Sequence, residues 1–404
     1  MTADETMGHG ANEKLAALHE TRVVDMALFG PGPFCATILG DLGAEIIKVH
    51  EPDPERRGSP ISLQFPDYPS FPGLRNCRMM GLNLKSEDGR RILYELAESA
   101  DVVTESFRPG VVKRLGVDYA TIDKLNPRVV YASITGYGQD GPYRDLVGHD
   151  INYASIGGLI GMTGKPGDAP VIPGTLIGDF AAGGMSAAIG ILAAITARER
   201  TGKGQYVEVS MTDAIVGMMA EWMNPYFDAG IVLKRGESMF TGEWPWYNIY
   251  ETKDGKHISI GAVEPPFYAN LCELLGCADL IEHQYAEGTK REEIFRVFRQ
   301  AFLTKSRDGW VDILRQKDTC VGPVYTIDEV ASDPQLLSRG TIRDMPHPDL
   351  GSVRRVGPLF RLSASPFEVR NWCKRPGQHA EEILLELGYG AARIDELRQA
   401  GVIG

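Results

Sequence analysis

The chain has 404 residues, enough to bury a large core and to form two lobes. Its apolar content of 43% and charged content of 24% exclude a disordered or fibrous protein. A net charge of −12 argues against a protein that coats nucleic acid or an anionic membrane, so an anionic ligand needs a local cluster of cations.

Strand and helix patterns alternate from Arg22 onward, after a polar stretch over residues 1–20 that we expect to form a loose arm. The run RVVDMALF predicts a strand, FCATILGDLG predicts a helix that ends at Gly43, and AEIIKVHEP predicts a second strand. A polar, proline-rich passage over residues 52–72 predicts a long surface loop.

The strand and helix pattern repeats over MGLNLKSEDGRRILYELAESADVVTES, where Ser86 is expected to cap a helix and Asp101 to open a strand. PRVVYASITGYG predicts a further strand that ends in a glycine-rich turn. Because strands and helices alternate, we expect a parallel sheet with helices on both faces, in a large α/β domain over residues 1–225.

The later part of the chain has a different pattern, which predicts a smaller α+β domain over residues 226–340. Within it, WPWYNIYETKDGKHISIGA predicts a hairpin with its turn at residues 253–255. Residues 341–404 contain one strong helix pattern, HAEEILLELGY, and are expected to return to the large domain. Helices of the small domain are predicted around residues 266–275, 290–303 and 307–316.

Two features bear on the location of the protein. Residues 180–197 carry no charge and would cross about 27 Å as a helix, but their glycines and the flanking Asp179 and Arg198 favour a buried helix, so no membrane partner is expected. The six cysteines contain no CxxC pair. Free thiols, with no signal-peptide pattern and no peroxisomal address, predict a cytoplasmic protein without a metal site.

A dinucleotide-binding motif is suggested by Gly30 and Gly32 after the first strand, with Glu51 about twenty residues further on. The third glycine of that motif is replaced by Cys35, however. The prolines at 31 and 33 also remove two amides that would hold a pyrophosphate. We therefore do not expect NAD or FAD binding.

Six segments, taken in order, carry a resemblance to a known family. They are GPGPFCATILGDLGAEIIKV at 30–49, NLKSEDGR at 83–90, ESFRPGVVKRLG at 105–116, SITGYGQDGPY at 133–143, IGDFAAGG at 177–184 and RTGKGQYVEVSMTDA at 200–214. Together they resemble the family III CoA-transferase superfamily. Two further strings, GHDINY at 148–153 and GAVEPPFY at 261–268, resemble its α-methylacyl-CoA racemase branch.

This resemblance implies that His149 and Asp179 form an acid/base pair, with Glu264 as a supporting carboxylate and Asp150 next to the site. The chemistry agrees, because inverting the carbon beside a thioester requires proton removal on one face and proton return on the other. Asp179 precedes a glycine-rich helix pattern, so the free amides of residues 180–183 are expected to bind the developing enolate oxygen.

The phosphates of coenzyme A require basic side chains, and the resemblance places Arg114 near a phosphate. It also places Leu82, Leu84 and Lys85 near the adenine, while Tyr137 is a candidate for the acyl pocket. Glu51 departs from the racemase pattern, which tends to have a basic residue there. The candidate cations are Arg75, Arg78, Lys85, Arg108 and Arg114.

The resemblance further implies a Rossmann-like large domain and an interlocked homodimer whose active site lies between the large lobe of one chain and the small lobe of its partner. The expected substrate is a 2-methylacyl-CoA or 2-arylacyl-CoA of lipid metabolism, with no tightly bound cofactor. The alternative function is a CoA-transferase in which Asp179 attacks the thioester. A catalytically silent CoA-binding subunit is a third possibility.

Structural roles compete with these catalytic ones. Asp179 could simply cap a helix, His149 could be a buried side chain bonded to backbone carbonyls, and Glu264 could close a turn before two prolines.

Overall fold

The computed structural model describes residues 15–27, 30–52, 75–373 and 375–404. Most of the expected N-terminal arm and nearly all of the expected loop over residues 52–72 therefore lie outside the described residues. The chain folds as two compact units. The first contains the described residues up to Ala154 together with Thr175–Gly217 and Gly340–Gly404, and the second contains Ser155–Gly174 and Met218–Arg339.

The segment Ser155–Gly174, expected in the large domain, belongs to the second unit. Arg235 gives the physical reason, because its guanidinium donates to the carbonyl of Gly161 at 3.1 Å and to that of Lys165 at 3.3 Å. These hydrogen bonds hold the segment Ser155–Gly174 to the unit that contains Arg235.

The first unit is built on a six-stranded sheet in which every pair of neighbours is parallel. The strands are β1 Arg22–Asp25, β2 Glu45–His50, β3 Cys77–Gly81, β4 Val102–Glu105, β5 Val130–Thr135 and β6 Gln205–Ser210. Their order in the sheet is β3-β2-β1-β4-β5-β6, so the chain reverses its direction of travel across the sheet between β1 and β4. Ligands of such sheets bind at the carboxyl ends of the strands near this reversal.

Helices cover both faces of this sheet, which explains why its central strands are nearly continuous apolar runs. One face packs against Glu87–Glu98 and the C-terminal helices, and the other against Pro31–Asp41 and Ser186–Thr201. Ser86 caps the first of these helices, its hydroxyl accepting the Gly89 amide at 3.0 Å. The predicted parallel sheet and the predicted Ser86 cap are confirmed. Shorter helices that begin in this unit are Val111–Leu115, Tyr119–Leu125, Asp150–Ile156 and Met211–Met218, and the last residues of the latter two belong to the second unit.

The second unit has its own sheet and core. Strands β7 Tyr247–Glu251, β8 His257–Gly261 and β9 Val321–Val324 form an antiparallel sheet, and β7 and β8 make the predicted hairpin. The fully buried Trp246 anchors the core and donates from Nε1 to the Gln284 carbonyl at 2.9 Å. The helices of this unit are Leu159–Met162, Ala220–Ala229, Pro265–Leu275, Ala278–His283 (3-10), Gly288–Phe302, Arg307–Leu314, Ile327–Ser332 and Pro334–Ser338.

The C-terminal segment Gly340–Gly404 belongs to the first unit. After the antiparallel pair β10 Ile342–His347 and β11 Gly351–Val356, the helices Ala380–Glu386 and Ala391–Gln399 pack into the core beneath the sheet. Among the described residues, Gly178–Thr201 is one helical stretch long and apolar enough to cross a membrane. Its second part packs against β5 and β6.

Candidate functional site

A cavity of about 740 Å³ opens at the carboxyl ends of β1, β4 and β5, where the sheet reverses its strand order. We call it the switch-point cavity. His149 and Asp179 both line it, and so do two of the other predicted site residues, Arg108 and Tyr137. The sequence therefore predicted residues from four separate segments that the fold brings to one place.

Asp179 is held by a π-helix, Gly178–Met185, in whose first turn it lies. Gly183 and Gly184 let this helix approach Pro31 closely, since a β-carbon on Gly183 would stand 2.4 Å from the Pro31 Cβ. π-helical turns are rare and often occur at functional sites. The close packing places the half-buried carboxylate of Asp179 at the wall of the switch-point cavity.

Asp150 links the two halves of the predicted acid/base pair. It begins the helix Asp150–Ile156, directly after His149, and its Oδ1 accepts the backbone amide of Asp179 at 2.9 Å. His149 itself is anchored through its backbone, since its amide donates to the Asn152 side chain at 3.0 Å and its carbonyl accepts the Asn152 amide at 2.8 Å. His149 is exposed and lines the cavity, so a buried His149 held by backbone carbonyls is not what the structure shows.

The carboxyl group of Asp179 is tuned towards neutral pH. Its pKa is raised to about 6, mainly by burial and to a smaller extent by the negative charge of Asp150, while the charge of His149 acts in the opposite direction. A carboxyl group with a pKa near 6 exchanges protons readily at physiological pH. The pair can therefore act as general acid and general base on one substrate.

The predicted oxyanion donors are not all available. The Phe180 amide donates to the Leu176 carbonyl at 2.8 Å, and the Asp179 amide is bonded to Asp150. The helical hydrogen bonds therefore already accept at Leu176, earlier in the chain than the sequence pattern indicated. The prediction that the amides of residues 180–183 are free is therefore wrong for Phe180.

A second cavity, of about 300 Å³, lies beside β2 and β3 and is lined by four of the predicted coenzyme contacts. We call it the edge cavity. Met26 and Phe107 line both cavities, so the two adjoin. Glu51 also lines the edge cavity, and its carboxylate lies 3.6 Å from the Lys85 ammonium. The predicted contacts that line the edge cavity are Leu82, Leu84, Lys85 and Arg114.

Arg75 and Arg78, expected near the phosphates, belong to the linings of neither cavity in the described part of the chain. Arg75 makes a bidentate pair with Asp41 at 2.8 and 2.6 Å. Arg78 pairs with Glu386 at 2.6 and 2.9 Å and with two more carboxylates. Both guanidinium groups are buried and neutralised, so their expected role in phosphate binding gives way to a structural one.

Glu264 belongs to the second unit, where it stands at the N-terminus of the helix Pro265–Leu275. Its side chain is exposed and makes no capping hydrogen bond. Its negative charge contributes, after burial, to a raised pKa of the Cys320 thiol.

Gly30 and Arg144 are among the residues of the switch-point cavity that sequence reasoning did not assign to the site. Gly30 was considered as part of a dinucleotide motif and as the start of a family segment, but not as a residue of the site. Arg144 follows the glycine-rich turn after β5, and that position was itself a signal, because the carboxyl ends of parallel strands meet at one edge of the sheet. Among the described residues, no three His, Cys, Asp or Glu side chains are grouped to hold a metal ion.

The first unit has a parallel sheet with the Rossmann strand order. At the point where the strand order reverses, an imidazole and a carboxyl group with a raised pKa line one cavity. This arrangement is the framework of an α/β enzyme. The chain belongs to CoA-transferase family III, whose sequence model matches residues 18–380. This confirms the family resemblance found in the sequence.

Relatives of both catalytic types are similar to the chain. Alpha-methylacyl-CoA racemase from Homo sapiens is 33% identical over 388 residues, covering 96% of this chain and 97% of that protein. Succinyl-CoA:glutarate CoA-transferase from Mus musculus is 31% identical over 400 residues, covering 97% and 91%. The crystal structure of a CAIB/BAIF family protein from Brucella suis matches with a TM-score of 0.78 at 27% identity, over 91% of this chain and 98% of that one.

Proposed function

We propose that the protein is a racemase that inverts the α-carbon of a 2-methylacyl-CoA or 2-arylacyl-CoA. The observation that carries this proposal is that His149 and Asp179 line one cavity and act on each other electrostatically. A two-base inversion needs two such groups, one able to remove a proton while the other delivers one.

In one direction the ionised Asp179 removes the α-proton and the electron pair moves into the thioester to form an enolate. The protonated His149 then delivers a proton to the opposite face of the carbon. The product is the inverted thioester, with Asp179 protonated and His149 neutral, and proton exchange with water restores the starting state. The opposite direction uses the same two groups with their roles exchanged.

The string GHDINY, which contains His149 and Asp150, supports the racemase over the transferase, as does the similarity to alpha-methylacyl-CoA racemase. The proposal includes coenzyme A as part of the substrate, without a tightly bound cofactor. It also includes an interlocked homodimer, a cytoplasmic location, and a supporting role for Glu264.

A CoA-transferase is the second candidate, favoured by the similarity to succinyl-CoA:glutarate CoA-transferase. Here the Asp179 carboxylate attacks the thioester carbonyl and expels the CoA thiolate, forming a mixed anhydride. The thiolate then attacks the Asp179 carbonyl of that anhydride, which releases the first carboxylate and leaves an aspartyl-CoA thioester. An acceptor carboxylate attacks this thioester, expels the CoA thiolate and forms a second anhydride. The thiolate then attacks the acceptor carbonyl, which gives the new acyl-CoA and releases the Asp179 carboxylate.

The primary test is α-hydrogen exchange. The protein is incubated in deuterated water with single enantiomers of short branched, aryl and steroidal 2-methylacyl-CoA substrates, and mass and chirality are followed. Deuterium uptake with loss of enantiomeric purity supports the racemase. A complete lack of exchange across the panel would sink it.

Two variants and one trapping reagent separate the candidates. Asp179→Ala should abolish both activities, whereas His149→Ala should abolish racemisation and leave a transferase substantially active. Hydroxylamine should trap an activated Asp179 only in the transferase. An Asp179 hydroxamate formed with acyl-CoA, together with an active His149→Ala variant, would replace the racemase with the transferase.

A further inference from the structure

Five of the six cysteines are buried, and two of these, Cys272 and Cys277, lie together in the core of the second unit. Cys272 is 0% exposed and Cys277 is 6% exposed, so Cys277 is the one that solvent reaches. Neither residue belongs to the described lining of the switch-point cavity or of the edge cavity. The proposed reaction therefore leaves this pair of nucleophilic side chains without a role.

The end of the helix Pro265–Leu275 brings the two cysteines together. Cys272 lies in the last turn, and Gly276 follows the helix with a φ of 75°. The Cys277 amide donates back to the Cys272 carbonyl at 2.9 Å, and the Gly276 amide donates to the Glu273 carbonyl at 3.1 Å. These are the two hydrogen bonds of a Schellman motif, in which the side chains of the outer pair of residues often pack against each other. The helix end thus places the two thiols side by side.

The two thiols differ in acidity because one donates to the other. The hydrogen bond from the Cys272 thiol to the Cys277 sulfur raises the pKa of Cys272, and burial adds to this rise. The same hydrogen bond lowers the pKa of Cys277, although burial acts in the opposite direction. Cys277 is therefore both the more acidic and the more accessible thiol of the two. A thiolate is the form that reacts with oxidants, and a neighbouring thiol can then displace the oxidised group.

The other cysteines lack this combination. Cys77 and Cys373 are close enough for the charge of one to affect the other, but burial raises the pKa of Cys77 to about 12 and that of Cys373 to about 11. Burial also raises the pKa of Cys35 and that of the exposed Cys320. Among the described cysteines, a thiol with a lowered pKa is thus found in the pair at the helix end alone.

We propose that Cys272 and Cys277 form a redox-active dithiol that hydrogen peroxide converts to a disulfide. The Cys277 thiolate attacks one oxygen of the peroxide and the O–O bond breaks, which leaves a sulfenic acid at Cys277. The departing hydroxide becomes water with the proton that Cys277 released. The Cys272 sulfur then attacks the Cys277 sulfur, and the S–O bond breaks to release a second water that carries the Cys272 proton. Two thiols are oxidised and one peroxide is reduced, and a thiol reductant reverses the change.

The test treats the folded full-length chain with hydrogen peroxide, alkylates the remaining thiols in denaturant and digests the protein after glutamate. Cys320→Ser serves as the parent protein, because it removes the exposed thiol. Glu273 lies between the two cysteines, so cleavage there leaves two peptides that stay joined only through a disulfide. Joined peptides that separate on reduction are the expected result. Loss of the Cys277 thiol should be at least about 10-fold faster than loss of the Cys373 thiol.

Two single variants of this parent separate the roles of the thiols. Cys272→Ala removes the thiol that displaces the oxidised group, so Cys277 should stop at the sulfenic acid and react with a 1,3-diketone reagent. Cys77→Ala is the matched control, because it also removes one buried thiol and should still form the disulfide.

Other outcomes overturn the proposal. Peptides that never join under conditions that oxidise Cys320 in wild type would show that the pair is inert. Joining that occurs only in denaturant would show that the folded core excludes peroxide. A disulfide between Cys77 and Cys373, with Cys272 and Cys277 still alkylated, would assign the redox chemistry to the other pair. These readings are made on the parent protein, so they do not depend on how well Cys272→Ala folds.

Discussion

The Asp179 carboxylate lies directly against the backbone of Gly30. A β-carbon at residue 30 would stand 2.5 Å from Oδ2 and 3.0 Å from Cγ of Asp179, closer than real β-carbons approach other atoms. Gly30 also has φ 63° and ψ −117°, a conformation that a residue with a side chain avoids. The first turn after β1 thus brings bare backbone against the reactive carboxyl group, which contributes to the burial that raises its pKa to about 6.

Gly30→Ala is therefore expected to displace Asp179 and to lower kcat by about 100-fold, since a misplacement of about 1 Å has an effect of that size. The backbone strain should also reduce the free energy of unfolding by about 2 kcal/mol. Steady-state racemisation and chemical denaturation measure the two effects. Gly202→Ala is the control, because Gly202 has a φ of 72° with open space around it and should lose stability without losing kcat. Unchanged kcat in Gly30→Ala would show that the contact does not constrain the carboxylate.

The pH dependence of the reaction should follow Asp179 and respond to Asp150. For the enantiomer from which Asp179 removes the proton, kcat/KM should rise with pH through about 6, because only the ionised carboxylate is a base. Asp150→Asn removes the negative charge that is the second cause of the raised pKa, so this rise should move to lower pH.

A pH profile of kcat/KM for wild type and variant measures the shift. Asp145→Asn, an exposed position in the same segment, should leave the profile unchanged. If kcat/KM rises at the same pH in Asp150→Asn as in wild type, the charge of Asp150 does not raise the pKa of Asp179.

Tyr153 positions the residue before His149. Its hydroxyl donates to the Gly148 carbonyl, and its ring occupies the space in which a β-carbon of Gly148 would lie, 2.7 Å from Cε1. Tyr153→Phe should lower kcat by about 5-fold with little change in KM, since one neutral hydrogen bond contributes about 1 kcal/mol. Tyr143→Phe, at an exposed ring outside the cavity lining, is the matched control. A rise in KM with unchanged kcat would instead assign Tyr153 to substrate binding.

The sequence predicts the central sheet well because its strands are buried on both faces and are therefore recognisably apolar. Strand β6, Gln205–Ser210, was not predicted, and the reason lies in its position. It is the last strand of the sheet, and three of its first four residues are exposed. The sequence of β6 is therefore more polar and does not resemble the sequences of β1 and β5.

The site could be predicted only in part, for reasons that concern distant contacts. His149 and Asp179 belong to recognisable motifs, and the fold brings them together. Arg78 looked like a free cation because its partner Glu386 is 308 positions away. Gly30 was visible in the sequence, but its contact with Asp179 depends on how the π-helix packs against Pro31.

Glu105 is a buried carboxyl group at the end of β4, next to the turn that borders both cavities. It is 1% exposed, and its Oε2 accepts the Phe107 amide at 2.7 Å. Burial raises its pKa from 4.5 to about 7, although the Ser133 hydroxyl and the Phe107 amide act in the opposite direction. Within the described residues it forms no ion pair with a cation, and Tyr131 and Tyr206 lie close enough to feel its charge.

Because the folded state raises this pKa, Glu105 contributes stability that is fully present below pH 4.5 and is lost as the pH rises through about 7. Glu105→Gln keeps an oxygen for the Phe107 amide and removes the titration. The free energy of unfolding of wild type relative to the variant should therefore fall by about 2 kcal/mol between about pH 5 and pH 8. Urea denaturation at both pH values measures this difference. Glu98→Gln, at an exposed position, should show no such change. If the wild type instead gains stability relative to Glu105→Gln as the pH rises, the fold stabilises the ionised form of Glu105 and the predicted direction of its pKa shift is wrong.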